Sequence, residues 1–371
     1  MKPEQQEALR LRESGLSRAA IAAKMGKTER QVKSLLERAR KWQEAPSALR
    51  DGAAAIGADT EADIVWTKTD KNGNVTYSVQ HRKKREESTE NLLERVAEAF
   101  ENIPAYEPKQ VEISYNETLW LYGLYDAHIG MRSWGKETGS DDYDLKLSAD
   151  DIKNGFTRLC RTTGEKGGDA LLIVGGDTLH ADSNDNMTPA SGHILDVDGR
   201  HRLVVETAIT SIAWTIEHLS TMHKRVIVRL HRGNHDPHSH LILMFALKER
   251  YRNVDRIVVD MSETDYFMFR HGNNAIFTEH GDRGSPQNFI NKMADVCEFW
   301  SSCKHRVAIT GHVHKFQQQR IGGCMWYSVD AFCPSDSYGS RFTGRRGLTA
   351  MAFDKEHGQT GVFYDGLWRD E

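Results

Sequence analysis

The sequence predicts an α/β protein of two packed sheets flanked by helices, preceded by a small all-α unit. From about residue 111, apolar strand-like runs alternate with helical stretches and give way to further strand-like runs, the order expected of sheets covered by helices. Residues 4–42 instead carry helical spacing and cap residues. Five clusters of Asp, Asn and His each close an apolar run, where the loops of an α/β scaffold bring distant side chains together.

The first helix is expected from about Glu4 to Glu13, stopping at Ser14-Gly15. Ser17 is the N-cap of a second helix that ends at Gly26 as its C′ residue. Thr28 and Gln31 form a capping-box pattern opening a third, through roughly Trp42. Leu9, Leu16, Ile21, Met25, Val32, Leu35 and Leu36 recur at helical spacing and are the candidate core. Residues 1–42 hold eleven Lys/Arg against five Asp/Glu, while the whole chain carries −4, so a basic module precedes a more acidic one. The candidate nucleic-acid contacts are Arg30, Lys33, Arg38, Arg40 and Lys41 on the third helix. This stretch resembles a helix-turn-helix DNA-binding domain, and the resemblance implies DNA as a partner. The alternative is a helical adaptor whose basic face is only solvated.

Residues 43–62 are small and polar and read as a linker. Residues 63–80 alternate around Asn72-Gly73, the signal of a β-hairpin. The charge run from His81 to Arg85 either meets phosphates or is solvated, and residues 88–102 form an amphipathic helix before Pro104 and Pro108. The expected domains are 1–45, a linker region 46–110, and 111–371. Further helices are expected near 200–222 and 286–301, and strands in MWYSVDAF, LTAMAFD and TGVFYD.

At 371 residues and 39% apolar, the chain is long enough for more than one core, and no apolar run approaches the roughly 20 residues of a membrane span. The charged N-terminus has no apolar signal core, so a cytoplasmic location in a bacterium or phage-infected cell is expected. Cys160, Cys297, Cys303, Cys324 and Cys333 form no CxxC and read as reduced, small buried residues.

The clusters are Asp126-Ala-His128, Gly176-Asp177-Thr-Leu-His180, Gly233-Asn234-His235-Asp236, His280-Gly281 and Gly311-His312-Val-His314. Imidazole nitrogens and carboxylate or amide oxygens in this number suffice for two divalent metals side by side, a device for displacement at phosphorus. A lone GD or GH is uninformative; the ordered set is the signal.

These motifs resemble the calcineurin-like metallophosphoesterase superfamily over roughly residues 115–365. The resemblance implies a four-layer sandwich of two sheets between helices. It implies Asp126, His128 and His314 on a first metal, Asp177 bridging, and Asn234, His280 and His312 on a second. His235 would face the scissile phosphate and protonate the departing oxygen or stabilise the transition state. Asp236 would orient that imidazole, cap a helix or pair with an arginine. His180 would assist substrate or support a ligand from behind. Such ligands suit manganese, iron or zinc better than calcium, with manganese the leading expectation for an enzyme on DNA and magnesium left open. His193, Arg200 and Arg202 in the long loop after His180, and Arg341, Arg345 and Arg346 near the end, are candidate substrate contacts.

The function expected is a two-metal nuclease hydrolysing DNA phosphodiesters through a metal-activated hydroxide, similar to the SbcD-type exonuclease branch and to exonuclease-type phosphoesterases of bacteriophage genomes. The alternatives are a phosphatase or phosphodiesterase on small-molecule or protein phosphoesters, and a DNA-binding regulator with an idle phosphoesterase fold. No helical tail is apparent after residue 365, so an ATPase partner is not expected; a homo-oligomer is left open.

Overall fold

The computed structural model describes residues 3–44, 64–69, 75–80, 106–107, 116–163, 167–336, 345–367 and 369. Two compact units divide the chain, Met1–Ser88 and Thr89–Glu371.

The first unit holds α1 (Pro3–Glu13), α2 (Arg18–Met25), α3 (Glu29–Glu44) and a hairpin of β1 (Ile64–Thr69) and β2 (Val75–Gln80). The Ser17 hydroxyl accepts the Ala20 amide, and Gly26 ends α2 at φ 63°. The Thr28 amide donates to Gln31 Oε1 at 2.8 Å and the Gln31 amide donates back to Thr28 Oγ1 at 3.3 Å, which satisfies two amides at the start of α3. Leu11, Ile21, Ala22 and Val32 are buried together, with Leu16, Met25 and Leu36 packed against them. Leu9 and Leu35, expected in this core, are only half-buried. On α1 the inward face is Gln5, Ala8 and Leu11; on α3 it runs from Val32 through Leu36 to Ala39, so helical phase selects Leu11 over Leu9 and, of the two expected leucines of α3, Leu36 over Leu35. The hairpin pairs from Ile64–Gln80 to Thr69–Val75. The Asn72-Gly73 turn, the 43–62 linker apart from Gln43 and Glu44, the 81–85 run and the 88–102 helix lie outside the described residues.

The second unit begins with β3 (Leu119–Leu124), α4 (Gly135–Thr138), α5 (Leu145–Thr162), β4 (Ala170–Val174), α6 (His201–Ser220) and β5 (Val226–Leu230). It continues with α7 (Ser239–Arg250), β6 (Ile257–Val259), β7 (Tyr266–His271), β8 (Asn274–Glu279) and α8 (Pro286–Val296). It closes with β9 (His305–Thr310), β10 (Gln317–Ile321), β11 (Cys324–Ser328), β12 (Leu348–Asp354) and β13 (Gly358–Asp365). One sheet has the order β13-β12-β3-β4-β5-β6 and the other β10-β11-β9-β8-β7. Strands β3 to β6 are parallel, as are β8, β9 and β11.

Alternation along each strand builds the layers. Leu121, Ile173, Ile227 and Met351 of the first sheet meet Ile276, Val307, Ile309 and Tyr327 of the second. Their chain neighbours Tyr122, Leu172 and Val228 face the other way, onto Ile152 and Phe156 of α5, Ile212 of α6 and Leu243 of α7. Ala275, Phe277 and Trp326 of the second sheet are covered by Phe289, Ile290 and Met293 of α8. Burial on both faces explains why these strands read as unbroken apolar runs. Helix α8 ends at Val296 rather than near 301: Cys297 is extended (φ −85°, ψ 108°), and the turn lets Trp300 stack on Phe277 at 5.5 Å. Among the described residues, no helix is long and apolar enough to cross a membrane.

Candidate metal centre

The five clusters follow β3, β4, β5, β8 and β9. Short backbone bonds lash their loops together: the Asp126 amide to the Gly176 carbonyl, His128 to Asp177, and Gly311 to His280. Asp126, His128, Asp177, His312 and His314 all have left-handed backbone, with φ between 43° and 67°. For residues other than glycine this costs roughly 1–3 kcal/mol each and persists only where the surroundings enforce it. Two glycines make room. A Cβ on Gly176 (φ 91°) would stand 2.6 Å from His280 Nδ1, and one on Gly233 would overlap the Asp177 carboxylate.

The donor atoms converge as two overlapping groups. Asp126, His128 and Asp177 bring ligand atoms within 4.8 Å of one another, and so do Asp177, His280 and His312. Asp177 divides its labour. Oδ1 accepts the His235 amide at 2.8 Å, while Oδ2 lies 3.8 Å from His128 Nε2 and 3.3 Å from His280 Nε2. Asp126 Oδ2 accepts the His312 amide at 2.9 Å; Oδ1 lies 3.5 Å from His314 Nε2. His280 Nδ1 donates to the Gly175 carbonyl at 2.9 Å, which turns Nε2 toward Asp177 and toward Asn234 Oδ1, 3.3 Å away. All seven expected ligands are thus brought together. Asp126 Oδ1 and His128 Nε2 are buried with no hydrogen-bond partner. Orphaned buried donors and acceptors are costly unless something else satisfies them, and a cation fits both. The residues present therefore fit a metal pair.

The electrostatics divide the four imidazoles: against burial, the carboxylates draw His280 and His314 toward the protonated form, while burial holds His128 and His312 neutral. Burial opposes charge on the Asp177 carboxyl, yet His280, then His128 and His235, hold it far below the usual carboxylate range. Burial opposes protonation of His280, yet Asp177 pushes it up to about 10. Burial, followed by His235, lowers His128, and burial followed by His280 lowers His312, leaving both neutral as ligation requires.

The residues expected to act on substrate sit beside this centre. His235 lines a cavity of about 520 Å³ with His128, Asp177, His180, Asn234, His312 and His314. Its Nδ1 donates to the His180 carbonyl at 2.8 Å. Asp236 does not orient the His235 ring, cap a helix or pair with an arginine. It is fully buried, with Oδ2 accepting the Thr178 and Leu179 amides and Oδ1 the Gly233 amide, so it ties the loop after β5 to the loop after β4. Burial, then Asp177, pushes its carboxyl up to about 7, while the Leu179 and Gly233 amides pull it back. His180 is buried, its Nδ1 3.1 Å from His128 Nδ1 and its ring stacked on His235 at 5.5 Å. Burial and then His235 lower it to about 3, so it is neutral behind His128.

In the long loop, His193 lines the cavity, but Arg200 and Arg202 are exposed away from its lining. Arg346 is not a free phosphate contact: it is held by Asp141 at 2.8 Å and Asp151 at 2.6 Å. Arg345 is exposed and lines an adjoining cavity of about 660 Å³; Arg341 lies outside the described residues. Sequence reasoning missed Asp182, whose carboxylate accepts the His238 and Ser239 amides at the start of α7. It also missed the placement of Cys333, whose Sγ lies within 4.8 Å of the His128 and His314 donors. A cap acting from 56 residues away leaves no local signal, and a single cysteine carries none. On α3, Arg30, Lys33 and Arg40 are exposed, with Lys33 3.8 Å from Glu37; the side chains of Arg38 and Lys41 lie outside the described residues.

Residues 1–42 match the family model described as Sigma-70, region 4. No curated protein matches the chain. Among solved structures, the chain is similar to a conserved uncharacterized protein from Streptococcus pneumoniae, a predicted phosphoesterase (10% identity, 67% of this chain and 90% of that one, TM-score 0.30). It is similar to Vps29 complexed with zinc from Entamoeba histolytica (13%, 67% and 99%, 0.29) and to an archaeal phosphodiesterase (14%, 66% and 99%, 0.33).

Proposed function

We propose that residues 111–371 are a two-metal phosphoesterase domain of the calcineurin-like kind that hydrolyses DNA phosphodiesters, and that residues 1–45 bind the DNA. The observation that carries the catalytic half is Asp177 Oδ2, set between the Nε2 atoms of His128 and His280, with buried unpaired donors on one side of it. The DNA half is supported by the Sigma-70 region 4 match and the exposed cations of α3.

Asp126, His128 and His314 would hold one ion, Asn234, His280 and His312 the other, with Asp177 shared. Bound there, such a pair supplies a water of lowered pKa and neutralises the phosphoryl oxygens as charge develops. The chain's own residues do the rest. Because a carbonyl fixes its Nδ1 as a donor, neutral His235 presents Nε2 as an acceptor; it delivers a proton to a leaving oxygen only as the imidazolium. When His128 Nε2 gives its lone pair to an ion, its Nδ1–H donates to His180 Nδ1 and fixes the ring. The Asp236 carboxylate keeps Asn234 and His235 in register with Asp177 through three backbone amides.

Linear duplex, circular duplex and single-stranded DNA incubated with the full chain and Mn²⁺, Zn²⁺ or Fe²⁺, singly and in pairs, test the reading. Cleavage that disappears with chelator and with Asp177→Asn supports it. No metal-dependent cleavage of any DNA form sinks it. Hydrolysis of nitrophenyl phosphates alone, unchanged by deleting residues 1–45, favours a small-phosphoester enzyme instead.

A further inference from the structure

We propose that Cys333 is a further protein ligand, through Sγ, of the metal position formed by Asp126, His128 and His314, and that this position prefers a thiophilic ion such as zinc or ferrous iron to manganese. The inference rests on the two-metal reading above and deepens it.

The donor atoms of Cys333, His128 and His314 all lie within 4.8 Å of one another. Donor atoms sharing one zinc stand roughly 3–3.5 Å apart, given Zn–S near 2.3 Å and Zn–N near 2.0 Å, so side-chain rotations close the group around an ion. An independent observation marks the same spot: His128 Nε2 and Asp126 Oδ1 are buried there without hydrogen-bond partners. Cys333 is placed firmly. Its amide donates to the Asp126 carbonyl at 3.1 Å, and the Phe332 amide to Tyr125 at 2.9 Å, so the segment runs beside the end of β3. Arg346 Nε in turn holds the Phe332 carbonyl at 3.2 Å. Cys297, Cys303 and Cys324 instead pack among the apolar side chains beneath α8.

Softness decides the ion. Thiolate favours zinc and iron, whereas carboxylate and amide oxygens suit harder ions. The second position, with Asp177, Asn234, His280 and His312, has no sulfur in its set, so the two positions differ in preference. As the metal–sulfur bond forms, the thiol proton leaves to solvent.

The full chain is stripped of metal and reloaded with two equivalents of Co²⁺. The expected spectrum has visible cobalt bands plus a near-ultraviolet sulfur-to-cobalt charge-transfer band. Cys333→Ser should lose the latter and keep the former. In competition with a chromophoric chelator, this variant should weaken one of the two zinc sites by about 10- to 100-fold, on the scale of lost supporting interactions. Its manganese affinity should change by less than about threefold, since manganese gains little from sulfur. Two bound cobalt ions without a charge-transfer band in the unmutated chain overturn the Cys333 assignment and leave the metal pair standing, whatever the variant's folding. A band that survives Cys333→Ser also overturns it. Failure to bind cobalt at all overturns both this assignment and the two-metal reading.

Discussion

Asp177 Oδ2 lies 3.3 Å from His280 Nε2, and the two residues leave different sheets, one after β4 and the other after β8. An ion held by both would join the two sheets. Folding stability should therefore rise with metal: about 2.7 kcal/mol at an ion concentration 100 times Kd, since only the native state assembles the donors. Calorimetry with and without chelator checks this. Identical melting temperatures in both would contradict it.

His235→Asn should lower kcat by about 10²- to 10⁴-fold, the usual contribution of a positioned acid. Metal content should stay at two ions, because His235 lies outside the seven expected ligands, its amide bonded to Asp177 and its ring packed edge-on against His128 at 4.6 Å. Elemental analysis beside kinetics separates these effects, and loss of an ion in this variant would show that the ring is a ligand.

Gly233→Ala should damage the centre without replacing any expected ligand. The new Cβ overlaps the Asp177 carboxylate, and relieving it should cost about 1–3 kcal/mol, read as lowered stability or weaker metal binding. Titration calorimetry with metal and a denaturant melt measure the two routes. A variant unchanged in both would mean that the loop after β5 shifts freely.

Asp182 should give the protein part of its acid sensitivity. Burial raises its carboxyl, but hydrogen bonds from His238 and Ser239 outweigh this and hold it below the usual range. A carboxyl depressed in the folded state adds stability above its unfolded pKa of about 3.9, lost as pH falls through the lower folded value. Stability below about pH 4 should therefore fall less steeply in Asp182→Asn. Parallel slopes in acid melts of the two proteins would refute it.

Arg30→Ala should weaken DNA binding at every sequence alike and reduce the salt slope of the binding constant by about 1, the effect of losing one phosphate contact. Fluorescence anisotropy across a salt series tests it. An unchanged slope would place the DNA elsewhere than on the exposed end of α3.

The convergence of the seven expected ligands was legible because each sits one to four residues past an apolar strand, so motif order and strand pattern reinforce each other. The caps at Ser17, Gly26, Thr28 and Gln31 were equally legible, since their chemistry is local. What escaped depends on distance. Asp236 reads as orienting His235, capping a helix or pairing with an arginine, but its partners Thr178 and Leu179 come from the loop after β4. Arg346 looked like a free cation because Asp141 and Asp151 lie about 200 residues upstream. Leu9 and Leu11 are both apolar, and only the packing of α2 and α3 chooses between them.

The left-handed turns at Asp126, His128, Asp177, His312 and His314 carry an evolutionary implication. Apart from glycine, that conformation is tolerated best by asparagine, aspartate and histidine. Those three side chains are also hard or borderline electron-pair donors. Main-chain geometry thus screens mutations before chemistry does: alanine, leucine or valine at these posts would be disfavoured even if no ion were ever bound. Drift among the permitted types would retune which ion is held while keeping the capacity to hold one, giving descendants of this scaffold an inexpensive path to new metal preferences.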